Sequence, residues 1–151
     1  MKLKQILKTS LIIPELQATN KEEVLTEMLD LLCQEENVSD RDTVLQLLEE
    51  RESKMSTGMQ EGVALPHTKT DAVDHLVACI AIKKEGIDFD SVDGKKSQIF
   101  IMTLSPSHCV GPHLKFLSDI MAVLGEPLNR KRLLRMTTSE QILLTFLGEP
   151  A

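Results

Sequence analysis

His67 and His113 are the side chains in this sequence best suited to do chemistry. Each follows a proline directly, at the boundary of an expected element, where strand ends and helix starts form clefts. Imidazole is a competent nucleophile that titrates near neutral pH. His67 lies near the end of the stretch STGMQEGVALPHTKTD, residues 56–71. Within it Gly58 and Gly62 allow the backbone to bend or to approach another group closely. Val63, Ala64 and Leu65 suffice for a short buried strand, which Pro66 ends by removing a ladder donor. That places His67 at a strand end, fixed on one side and open on the other. His113 opens a helix, where the dipole and free amides favour an anion. Arg51, in the last turn of the helix before the glycine-bearing stretch, has two readings. It is either a solvated cation on its own helix's terminal carbonyls, or a planar guanidinium that neutralises an anion near His67. Two imidazoles and one arginine around a small anion suit phosphoryl transfer, in which charge placement does most of the catalysis.

Other chemistries use the same residue types. A histidine after a proline is also an ordinary polar loop residue. His108, Cys109 and His113 fall close enough together for zinc, but His108 and Cys109 sit in a loop rich in proline and glycine, and no fourth ligand is evident. None of the cysteines (Cys33, Cys79, Cys109) is marked as an activated thiolate. No phosphate-binding glycine loop supports a nucleotide as direct donor. Imidazole is both nucleophile and leaving group, so the site itself requires no metal or cofactor.

The elements that must hold these residues are readable from periodicity. The 151 residues suit a single domain, 42% apolar and 26% charged. A formal charge of −6 argues against nucleic acid or an anionic membrane as the main partner. No apolar run approaches a membrane span, and Lys8, Thr9 and Ser10 interrupt the N-terminal apolar residues too early for a secretory signal. A cytoplasmic protein without structural disulfides is expected. Residues 1–18 read as a helical turn (Leu3, Ile6, Leu7) and an extended piece over Leu11–Ile13. Thr19 or Asn20, with Glu22 and Glu23, starts a helix over about 20–34. Ser39 or Asp40 starts a second, with Val44, Leu45, Leu47 and Leu48 inward. Leu76–Ile82 and Gln98–Leu104 read as buried strands, with turns at Gly86–Asp90 and Asp93-Gly94. The helix from His113 carries Leu114, Leu117, Ile120, Met121 and Leu124, and Gly125 and Pro127 stop it. A short basic helix over 129–135 and a last one capped by Thr138 or Ser139 complete a single α+β layered domain.

ERESKMSTGMQEGVALPHTK, GIDFDSVDGK and GPHLKFLSDI, in that order, resemble the three motif blocks of the enzyme IIA domains of the bacterial phosphoenolpyruvate-dependent sugar phosphotransferase system. The class is the fructose/mannitol one, which includes the nitrogen-related branch, and the similarity covers essentially the whole chain. The resemblance implies a three-layer α/β/α sandwich with a central mixed β-sheet over residues 1–151. It also implies that His67 is the phosphorylated histidine, His113 the second active-site histidine and Arg51 the arginine beside them. The expected partners are the phosphocarrier HPr as donor and a IIB component of a sugar permease as acceptor. The alternative is a regulatory chain whose phosphorylation controls binding to transporters or kinases. Thr68 and Lys69 depart from the small residue usual after the active Pro-His pair; Lys69 either adds to the phosphate field or is a rim residue. His108 and Cys109 make the loop before His113 individual as well.

Overall fold

The computed structural model describes residues 2–149. Its strands are β1 (Ile12–Ile13), β2 (Val63–Ala64), β3 (His67–Lys69), β4 (Val77–Ile87) and β5 (Ser97–Ser105). Its helices are α1 (Leu3–Ile6), α2 (Lys21–Glu35), α3 (Arg41–Lys54), α4 (Val110–Leu124), α5 (Pro127–Leu133) and α6 (Ser139–Phe146). Residues at alternate positions along β4 and β5 face opposite sides of the sheet. Val77, Cys79, Ala81, Phe100, Met102 and Leu104 join the core under α2 and α3. Ala78, Ile80, Ile82, Ile99 and Ile101 join a second core under α4, α5 and α6. A central strand pair that is apolar on both faces needs helices on both, and the result is a three-layer α/β/α sandwich. The sheet is mixed: β4 and β5 pair antiparallel, β1 runs parallel to β4, and β2 and β3 run parallel to β5.

Several local readings shift. Gly86 (φ +79°) lies inside β4, at a register irregularity against β5, and the turn follows it. Pro127 starts α5 rather than only stopping α4, its fixed φ suiting the first helical position. Helix α4 begins at Val110, so His113 sits in its first turn instead of opening it. Its buried line is His113, Phe116, Ile120 and Leu124, while Leu114 is 62% exposed. In α3 the inward line is Val44, Leu48 and Glu52, a carboxylate continuing an apolar stripe at steps of four.

Candidate active site

The edge strand that carries His67 is built from both sides. On the sheet side, β2 and β3 keep one register along β5, Val63 opposite Ile99 and His67 opposite Thr103. Pro66 donates nothing, but its carbonyl accepts from Thr103 N–H at 3.0 Å, so the two short strands act as one. His67 is the first residue of β3 and continues the line of β2 along β5, rather than lying beyond a strand end. On the outer side, residues 57–59 run back along it. Met59 N–H donates to Val63 C=O at 2.7 Å and Leu65 N–H to Thr57 C=O at 3.1 Å. The two glycines of this stretch meet different needs. Gly62 (φ +77°) follows Glu61 (φ +62°) in the left-handed turn that reverses the chain. At Gly58 a Cβ would stand 2.6 Å from Ser91 Oγ and 2.8 Å from Phe89 C=O, so the turn after β4 could not approach. Asp93 joins the same two loops, accepting from the amides of Glu61 and Lys95 at 3.0 Å each. Those amides, Lys95 first, hold its carboxyl below the usual range.

Pairing with Thr103 also decides which way His67 faces. Thr103 has the parity of Ile99 and Ile101, which point to the α4 layer, so His67 and Lys69 share that face. There His67 meets His113. Their ring centres are 5.6 Å apart with planes inclined at 55°. His67 Nδ1 lies 2.8 Å from Leu65 C=O, an atom that can only accept. Nδ1 therefore carries a proton, and Nε2 is the ring nitrogen left outside this bond. His113 is in the opposite condition. It is buried, and its Nε2 has no hydrogen-bond partner among the described residues. Burial, then the neighbouring His67, then Lys69 push its pKa below the ordinary histidine value. Two imidazole rings at the positive end of a fifteen-residue helix make a place where a phosphoryl dianion is welcome.

The other residues singled out in the sequence have the following places. Arg51 lies on α3, in the layer opposite α4, and its Nη1 donates to Met55 C=O at 2.7 Å. This is the helix-terminal contact of its ordinary reading, and among the described residues no hydrogen bond joins Arg51 to either histidine. His108 is exposed and Cys109 is the N-cap residue of α4, while His113 turns inward to His67. Cys79 is buried with its thiol pushed up by desolvation. Sequence reasoning missed Lys21, Glu52 and Thr57. The carboxylate of buried Glu52 accepts from Thr57 N–H and from Lys21 Nζ, each at 2.9 Å, and also from Thr57 Oγ1. The available signal was an acidic residue at the inward spacing of Val44 and Leu48.

The family model described as "Phosphoenolpyruvate-dependent sugar phosphotransferase system, EIIA 2" matches residues 5–148. The chain belongs to this enzyme IIA family. It is a phosphotransferase that works through a phosphohistidine intermediate. A fructose-specific EIIA component of Haloferax volcanii is 36% identical over 132 residues, 87% of this chain and 86% of the relative. A nitrogen regulatory protein of Pseudomonas aeruginosa is 28% identical over 94% of this chain and 92% of its own length. The fructose-specific EIIABC component of Bacillus subtilis is 30% identical over 95% of this chain, which spans only 22% of that relative. Among solved structures, nitrogen regulatory protein IIA-Ntr of Neisseria meningitidis superposes with a TM-score of 0.87 at 27% identity, covering 94% of this chain and 97% of the other. The mannitol IIA of Escherichia coli gives 0.79 at 20% identity over 93% and 98%, a likeness of fold. Among the described residues no helix of this enzyme IIA is long and apolar enough to cross a membrane.

Proposed function

We propose that His67 takes the phosphoryl group from an HPr-type phosphocarrier, and that its phosphorylation governs binding to a regulated target such as a transporter or kinase. The observation that carries the His67 assignment is the bond from Nδ1–H to Leu65 C=O, which leaves Nε2 as the nucleophile beside a second imidazole. His67 Nε2 attacks phosphorus, and the new P–N bond forms as the donor's P–N bond breaks. The donor imidazole leaves with the electron pair. Leu65 C=O then stabilises the positive charge that the His67 ring acquires. His113 Nε2, buried without a partner, orients the phosphoryl oxygens as a hydrogen-bond donor once it carries a proton. The incoming dianion favours that proton, reversing the depression caused by burial. Arg51 contributes at longer range through its charge. The chain acts in the cytoplasm as one phosphotransferase domain.

The regulatory reading draws on the nitrogen regulatory relatives, which match nearly end to end, and on the fit to IIA-Ntr. Reading the sequence alone puts sugar uptake through a IIB component first and regulation second; these likenesses reverse that order. The Haloferax fructose-specific relative keeps uptake as the second reading. Incubation with phosphoenolpyruvate, enzyme I and HPr tests the acceptor. Wild type gains one acid-labile phosphate and His67→Ala gains none, and label persisting in the variant overturns the assignment. Offering the phosphorylated chain to a purified fructose-type or mannitol-type IIB separates the roles, because rapid loss of label means uptake and retention means regulation.

A further inference from the structure

A chain of contacts runs from the buried end of α3 to the ring of His67. Glu52 accepts both the amide and the hydroxyl of Thr57, which is itself buried. Thr57 C=O accepts Leu65 N–H at 3.1 Å. Leu65 C=O accepts His67 Nδ1–H at 2.8 Å. Each residue is thus held at one end and holds the next at the other. We propose that Glu52 is a positioning residue for phosphoryl acceptance, setting the tautomer and orientation of the His67 ring through Thr57 and Leu65; the inference rests on the His67 assignment above.

Two features argue that Glu52 does more than fasten a loop. A buried charge is a costly fastener, and an apolar residue at 52 would simply continue the line of Val44 and Leu48. The carboxylate is instead kept and neutralised on the spot. Lys21 Nζ sits 2.9 Å from Glu52, 3.4 Å from Asp90 and 4.9 Å from the centre of the Phe89 ring. Its charge is therefore cancelled before it can repel a phosphoryl dianion, while its acceptor capacity remains. The rung through Thr57 and Leu65 is also the last on the outer side before the ring. Displacement of Thr57 moves Leu65 C=O, and the ring loses the acceptor that keeps its proton on Nδ1.

Imidazole ¹⁵N spectra of wild type and Glu52→Gln above neutral pH, together with the rate of phosphorylation by phospho-HPr, test this. Wild-type His67 is expected as the Nδ1–H tautomer. Glu52→Gln, folded by circular dichroism, is expected to show a mixture of tautomers and a rate about tenfold lower, the scale of a small misplacement of a reacting group. Thr57→Val, which keeps the amide but not the hydroxyl, is expected to shift the same spectrum less, and Thr57→Ser to restore it. A folded Glu52→Gln with the wild-type tautomer and rate overturns the proposal. Should Glu52→Gln fail to fold, Thr57→Val decides: wild-type behaviour in both measurements overturns the proposal, and a shifted tautomer with a slower rate supports it. A wild type that accepts no phosphate at His67 removes the acceptor assignment, while the tautomer comparison still reports whether Glu52 sets the ring.

Discussion

His67 and His113 are the same side chain in opposite circumstances. The ring of His67 is half-exposed and anchored through one nitrogen to a carbonyl two residues back, on a strand clamped from both sides. The ring of His113 is buried on a helix, and its Nε2 is without a partner. On the proposed mechanism, the anchored ring of His67 is the one that attacks phosphorus. A buried ring with an unanswered nitrogen is organised to respond to charge placed beside it. The difference teaches that the fold distinguishes the two rings by what each already bonds to, since the residue type is identical, and the two proposed roles follow that difference.

Replacement of each ring gives the sharpest contrast. His67→Gln is expected to abolish acid-labile labelling and leave the unfolding temperature close to wild type. His113→Leu is expected to slow transfer about 10²-fold, the usual loss when one stabilising donor is removed. The same change removes an orphaned polar atom, so stability should rise by about 1 kcal/mol in denaturant unfolding. A parallel loss of folding and transfer in His113→Leu would erase the distinction between the rings.

Gly58→Ala tests the clamp under His67. Its Cβ would collide with Phe89 C=O, and a destabilisation of about 1–3 kcal/mol is expected in denaturant unfolding. Arg51→Gln should have a smaller effect. A screened cation contributes about 1 kcal/mol or less, so transfer should slow by no more than about fivefold. A loss comparable with that of His113→Leu would show Arg51 to be a direct partner of the phosphoryl group.

The two rings should also differ in their titration. The folded-state pKa of His113 is depressed below its unfolded value, so between the two the unfolded chain binds more protons. Its contribution to stability is therefore present above the unfolded value of about 6.5 and lost as pH falls through the folded value. Unfolding measured across this window should show that slope in wild type and not in His113→Leu. NMR titration should place the His113 midpoint below 6.5 in the unphosphorylated protein and higher once His67 carries phosphate.

Much of the site was legible because its signals are local. Pro66-His67 after a short apolar run, the glycines at 58 and 62, and Asn20 with Glu23 as a helix start all express chemistry within a few residues. The continuous apolar runs Leu76–Ile82 and Gln98–Leu104 already read as buried strands. Other features had no local cause. Leu114 and Phe116 are both apolar, and only the contact between α4 and the sheet selects Phe116 as the buried one.

The sequence by itself determined the acceptor candidate, the layered architecture and the family, since each depends on residue types at short spacings. Tertiary structure alone decided that His113 would be buried against His67, that Arg51 would close its own helix, and that Glu52 would hold Thr57. The first outcome joins residues tens of positions apart, through strand register and the helix that covers that face; the other two join residues four and five positions apart and depend on how the chain leaves α3.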